Sequence, residues 1–309
     1  MTVPSPRHTR MPVNSRAVSA LLAHAIDYAG LYPPASLSMA DAVREYQAQR
    51  FGPEAWALGR FVVGAAQLEA FVAAREQADA VHWPLSVLST GHVADDVRLI
   101  AAAEAHSGKL RVESIEAKVA SAQHVADLAP LTQLAPELYV EGPAIEETGA
   151  LHELIKAVHS LGARAKIRTG GVTSDAIPSA RASAEFLRAC VAASVPFKAT
   201  AGLHHLVRGE YPLTYEPGSA RATMFGFLNV FVAAALAHTD AGLDVLIAVL
   251  EERDPEAFET HDDQLCWRDR CLTSAVLQSM RVAALHSFGS CSFQEPIAEL
   301  TAAGLRAAE

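Results

Sequence analysis

Glu116 and Lys118, Tyr139 and Glu141, Lys166 and Arg168, and Lys198 and Thr200 are pairs of side chains two residues apart. Residues two apart on a β-strand share a face. If each pair lies on a strand, four consecutive strands deliver two carboxylates, three lysines and an arginine to one small volume. Ions buried without partners are costly, so these groups must pair or face a wet cleft. A single lysine would read as an edge-strand guard, but a run of four charged strands does not. A lysine crowded by other cations has its ammonium form disfavoured, which frees the amine to attack a carbonyl carbon and form a Schiff base. Glu116 or Glu141 would then move protons, while Arg168 and Lys118 would hold a carboxylate or phosphate on the substrate. Gly170 and Gly171 after Arg168, and Gly202 after Lys198, would let backbone amides come close to that anion. The competing reading is a buried ion-pair network that only plugs the interior.

His204 and His205 follow the Lys198 segment directly, with Arg208, Glu210 and Tyr211 behind them. One of the two imidazoles could act as a general acid or base. With Glu116 and Glu141 they could instead ligate a divalent metal, although the lysines and arginine nearby disfavour a second cation. They could also be loop histidines bonded to carbonyls. Ser290, Cys291 and Ser292, beside Gly289, could donate to an anion near a helix start. Cys291 as a nucleophile lacks a histidine that the sequence places beside it. Asp27 and Tyr28 read either as a lip on the cleft or as a helix C-terminal turn.

The elements that must position these groups alternate along the chain. Helical spacing runs over 16–26, and Ser38 caps a helix to about Arg50. Strands are expected at 60–63, 85–88, 110–119, 137–141, 164–169 and 197–201, with helices at 68–77, 93–106, 121–134, 145–161 and 183–193 between them. Strands separated by helices of this length pair in parallel through right-handed crossovers, giving an open doubly wound sheet or a TIM-type (β/α) barrel. The polar strand ends and the absence of a GxGxxG turn favour the barrel, regular or irregular. Closure is expected from 26–31 or from the C-terminal part. Beyond Tyr211 come a polar loop, helices at 225–237 and 243–253, a small hairpin across 265–272, a helix from Thr273 to near His286, a glycine-containing segment at 288–293 and a last helix from Pro296. The helix at 225–237 is apolar on nearly every face and should be core or a subunit contact. One barrel domain over 15–309 with this helical C-terminal extension is expected, preceded by a loose tail over 1–14.

Four stretches, AIDYAGLYPPASLSM (25–39), KIRTGG (166–171), FKATAGLHH (197–205) and FGSCSFQEP (288–296), resemble those of a bacterial family of hypothetical proteins. More locally, Lys198-Ala199-Thr200-Ala201-Gly202 is similar to the KTSTG strand of class I deoxyribose-phosphate aldolase. That similarity implies that Lys198 forms the Schiff base. In that aldolase the second active-site lysine lies on the next strand, whereas here Lys166 precedes Lys198. If 26–31 is a first strand, Lys166 falls on the sixth and Lys198 on the seventh, and their roles reverse. Lys198 is the preferred nucleophile at this point, with Lys166 the alternative.

The formal charge of −10 over 309 residues argues against a general nucleic-acid partner. The longest apolar stretch, 225–237, is shorter than the roughly 20 residues a membrane span needs. The N-terminal residues lack the apolar core of a secretory signal. Cys190, Cys266, Cys271 and Cys291 lack paired CxxC spacing and read as reduced cytoplasmic thiols, although Cys266 and Cys271 could meet across a hairpin. The expectation is therefore a cytoplasmic, cofactor-free barrel lyase, monomer or homo-oligomer, acting on a small anionic carbonyl metabolite through a lysine imine. The alternatives are a decarboxylase or phosphoribosyl-type transferase with the same cationic cleft, and a non-catalytic barrel that binds an anionic metabolite.

Overall fold

The structure is a computed structural model describing residues 15–76, 82–107, 110–143 and 148–305. The expected tail at 1–14 and the start of the expected helix at 145–161 lie outside the described residues. The chain opens with α1 (Arg16–Leu22), β1 (Ile26–Tyr28), α2 (Met39–Arg50), β2 (Leu58–Gly64), α3 (Leu68–Glu76), β3 (Trp83–Leu88), α4 (Val93–Ser107) and β4 (Leu110–Lys118). It continues with β5 (Glu137–Glu141), α5 (Thr148–Ser160), β6 (Arg164–Arg168), α6 (Ala180–Ala192) and β7 (Phe197–Thr200). The C-terminal part holds β8 (Gly209–Pro212), β9 (Arg221–Met224), α7 (Phe227–His238), α8 (Leu243–Glu251), β10 (Phe258–Thr260), β11 (Gln264–Trp267), β12 (Arg270–Thr273), α9 (Ser274–Ala283), β13 (Leu285–Ser290) and α10 (Gln294–Ala302). Strands β1 to β7 and then β13 close into an eight-stranded parallel barrel, the TIM-type architecture.

Closure takes a strand from each of the two candidate segments, because β1 pairs in parallel with both β2 and β13. The expected helix at 16–26 therefore stops early. His24 takes a left-handed φ of 51°, which ends the helical path, and Ile26 to Tyr28 become strand. The helix expected to reach His286 likewise ends at Ala283, and Leu285 to Ser290 form the eighth strand instead of a loop. Short apolar runs cannot be assigned to helix or strand by periodicity alone. At 121–134 there are two 3-10 pieces rather than an α-helix, with Pro130 inside the longer one. The polar loop after Tyr211 is instead the antiparallel hairpin β8–β9.

Arg281 fastens the two ends of the barrel. Its guanidinium donates to the carbonyls of Leu21 and Ala23 on the N-terminal side and of Leu285 and His286 on the C-terminal side. Helix starts are held by side-chain caps, with Ser38, Ser179 and Thr273 accepting from the backbone N–H three residues on. Outside the barrel wall, Tyr46, Phe61, Phe71 and Trp83 pack with ring centroids 4.9–5.8 Å apart. Helix α7 is buried from Phe227 to Ala237, as its all-round apolar sequence requires. Cys266 and Cys271 stand directly opposite on β11 and β12 and form a disulfide, in place of the expected free thiols. No helix among the described residues is long and apolar enough to cross a membrane.

Candidate active site

Period-two alternation turns Glu116, Glu141, Lys166 and Lys198 into the barrel. Burial follows: they are 5%, 6%, 7% and 1% exposed. Their charges form a ladder of alternating sign. Lys198 Nζ donates to Asp27 Oδ2 at 2.5 Å and to Glu116 Oε1 at 2.8 Å. Lys166 Nζ pairs with Glu116 Oε2 at 2.7 Å and with Glu141 Oε2 at 2.9 Å. Glu141 Oε1 then meets Arg168 Nε at 3.1 Å and Lys118 Nζ at 3.2 Å. Ser114 donates to Ser86, and Ser86 donates to Glu116 Oε1 at 2.5 Å, so the central carboxylate is fixed from below as well.

The ladder changes the electrostatic expectation for the lysines. Cation crowding would have pushed a lysine toward its neutral amine, but the Glu116 carboxylate lies between the two lysines. Burial works against the Lys198 ammonium, yet Asp27 and Glu116 outweigh it and raise its pKa above the ordinary value. Burial would likewise raise the Glu116 carboxyl, but Lys166 and Lys198 hold it well below the usual carboxylate range. Glu141 is lowered too, with Lys166 the main attraction opposing its burial. Four cationic side chains (Lys118, Lys166, Arg168, Lys198) face three carboxylates (Asp27, Glu116, Glu141), leaving one positive charge in excess when all are ionised.

A cavity of about 510 Å³ opens above the ladder, at the C-terminal ends of the strands where barrel active sites lie. Glu116, Lys118, Lys166, Arg168, Lys198 and Thr200 line it, together with Gly171 and His204. Eight of the sequence-predicted site residues thus meet there, and Glu141 is held beneath by Lys166. A smaller adjoining cavity of about 240 Å³ shares Pro33, Gly171, Ala201 and His204 with it and is lined further by Gly202, His205, Leu213, Tyr215 and Met224.

The remaining expected contacts are differently employed. His205 stacks on Tyr211 with ring centroids 3.4 Å apart and pairs with Glu299 at 2.6 Å, so it borders only the smaller cavity. Ser290 is buried under His204, its hydroxyl 3.0 Å from His204 Nδ1 and donating to the Ser292 carbonyl. Gly170 and Gly202 lie back to back: a Cβ on Gly170 would meet the Gly202 Cα at 2.8 Å. Gly202 also has φ +75°, so both are glycines because the loops after β6 and β7 touch. His204 is kept neutral near pH 7, with burial first and then His205 bringing its pKa down to about 4. Its ring is 3.7–3.8 Å from Cys291 Sγ, the histidine neighbour that the sequence could not supply. Burial pushes the Cys291 thiol up to about 11. Glu116 and Glu141 each hold a lysine, and among the described residues no three His, Cys, Asp or Glu side chains gather as metal ligands.

Asp27 is the main functional residue that sequence reasoning misplaced. It is neither a lip nor a helix turn but a strand residue, 1% exposed, that accepts from Lys198, from Ser287 Oγ at 2.8 Å and from the Arg60 backbone N–H at 2.9 Å. Its signal was one charge between Ile26 and Tyr28, hidden by the helical reading. The opposite end of the barrel carries a second ion-pair network, built from residues that the sequence reading did not single out. There Arg60 pairs with Glu113 at 3.1 Å and Glu137 at 2.8 Å, and Arg164 pairs with Glu137 at 3.4 Å. No family model matches the chain, and no curated protein matches it.

Proposed function

We propose that the protein is an aldolase-type lyase that binds a small anionic carbonyl compound and forms a Schiff base through Lys166. The observation that carries this reading is a lysine at the floor of a C-terminal barrel cavity, flanked by two carboxylates, of which Glu141 is tied to the cations at the mouth and Glu116 to the buried Lys198. Lys166 replaces Lys198 as the preferred nucleophile for two reasons. With 26–28 as first strand, Lys166 stands on the sixth and Lys198 on the seventh, the condition under which the aldolase resemblance exchanges their roles. Lys198 is also committed as an ammonium between Asp27 and Glu116.

A substrate anion would compete with Glu141 for Arg168 and Lys118. Losing those cations raises the proton affinity of Glu141, which then takes a proton from Lys166. The free amine attacks the carbonyl carbon, the carbinolamine loses its oxygen as water with the proton on Glu141, and the iminium remains. The iminium carries the same charge as the ammonium it replaces, so Glu116 and Glu141 stabilise both. Glu141, again a carboxylate, can accept the proton of a substrate hydroxyl while the adjacent carbon–carbon bond breaks and its electron pair moves to the iminium. Lys198 stays charged throughout and helps to compensate Glu116.

Borohydride trapping with pyruvate and glyoxylate, followed by peptide mass mapping, tests the reading. The expected result is a reduced adduct on Lys166 that is lost in Lys166→Met. No adduct on either lysine sinks the imine. The strong carboxylate support of both ammonium groups favours a second reading, a decarboxylase or phosphoribosyl-type transferase in which the lysines only stabilise developing negative charge. Turnover of an anionic substrate without trapping would select it.

A further inference from the structure

The segment 25–39 was singled out by resemblance, yet the ladder uses only Asp27 from it. Tyr32 lies in the loop after β1, held by its backbone N–H donating to the Ala29 carbonyl at 2.9 Å and its carbonyl accepting from Ser36 N–H at 3.0 Å. Its side chain lines the 510 Å³ cavity beside Glu116 and Lys166. The hydroxyl oxygen is buried and has no hydrogen-bond partner among the described residues. It rests above the end of β2, where a Cβ on Gly64 would come within 3.5 Å of it. Buried polar groups are nearly always satisfied, so an unpartnered hydroxyl on a residue that lines a cavity calls for a partner from outside the chain. Burial, and then the charge of Glu116, raises the phenol pKa, so the group is a hydrogen-bond donor across the working pH range.

We infer that the Tyr32 hydroxyl donates a hydrogen bond to the oxygen on the substrate's reacting carbon, and so selects short carboxylic acids bearing an oxygen at carbon 2. The inference rests on the imine reading for its catalytic consequence only. With the anion at Arg168 and Lys118 and the carbonyl carbon at Lys166, the carbonyl oxygen needs a neutral donor on the opposite wall. Tyr32 supplies it without adding charge to a cavity that already holds four cations.

The test uses the full-length protein and Tyr32→Phe. Calorimetric titration with lactate and propionate compares ligands that differ by the oxygen at carbon 2. The wild type should prefer lactate by about tenfold, and Tyr32→Phe should bind the two about equally. An unchanged preference in the variant, or no preference in the wild type, overturns the inference. Pyruvate trapping is the second readout, expected to slow about tenfold or more in the variant while Lys166 remains the labelled residue. A wild type that traps nothing fails the imine reading alone, because the lactate comparison still decides Tyr32. Thermal unfolding completes the test: an orphan hydroxyl contributes no fold contact, so the variant should melt at or above the wild-type temperature, and a clear drop would mark the hydroxyl as structural and overturn the inference.

Discussion

Lys166 and Lys198 face each other in register on β6 and β7 and converge on the two oxygens of a single carboxylate, Glu116. Each lysine has one further anionic partner, Glu141 for Lys166 and Asp27 for Lys198. Two buried ammonium groups on neighbouring strands are tolerable only because that shared anion lies between them.

Glu116→Gln keeps the shape and removes the charge. Stability at pH 7, measured by urea unfolding, should fall by about 3–5 kcal/mol, the usual cost of leaving a buried charge uncompensated. A loss below about 1 kcal/mol would mean that the lysines relax to solvent and that the ladder is not a structural unit.

His204 should govern the onset of acid sensitivity. Its pKa is lowered from 6.5 to about 4 in the folded state, so between these values the unfolded chain binds the extra proton. Stability from this group is therefore present above pH 6.5 and declines as pH falls toward 4, by about 3 kcal/mol in all. Glu116 and Glu141, lowered by their lysines, add a further loss below the ordinary carboxylate range, near pH 4. Unfolding free energies measured at several pH values should show the upper limb flattened in His204→Gln and the lower limb kept. An upper limb of the same slope in the variant would assign it elsewhere.

Arg281 carries barrel closure. Removing its side chain in Arg281→Ala strips donors from four backbone carbonyls on both ends of the chain, and a loss of about 2–4 kcal/mol is expected from the unsatisfied acceptors. Hydrogen exchange should rise first in β1 and β13 rather than uniformly. Uniform exchange would show that the barrel is closed by its strand ladders alone.

The Cys266–Cys271 disulfide should matter for local stability but not for chemistry. Its loop is short, with a sequence separation of 5. Loop-closure entropy then allows about 2 kcal/mol, measured as the difference between the native protein and Cys266→Ser/Cys271→Ser. Pyruvate adduct formation should be the same in both, since neither sulfur borders a cavity described above.

Much of the barrel was legible in the sequence. The six strands from β2 to β7 announce themselves because each is bounded by turns and keeps a regular alternation with the helices. β1 and β13 do not, for a physical reason: one is three residues long, and the other follows α9 after a single irregular residue, Ala284. The convergence of Glu116, Glu141, Lys166 and Lys198 was readable from strand alternation alone. Their state of charge was not. It depends on contacts such as Asp27 to Lys198, 171 residues apart, which exist only once β1 and β13 complete the ring. Tyr32 was equally invisible, because a loop phenol gives no periodic signal and its significance lies in what its hydroxyl lacks.

The contact between Gly170 and Gly202 has a mechanical consequence. Each loop occupies the space in which the other would need a side chain, so the loops that follow the two lysine strands have no slack to slide past one another. Any widening of the cavity mouth must carry both together, with the spacing between Lys166 and Lys198 preserved. The loop bearing Tyr32, which follows the three-residue β1, takes no part in that contact.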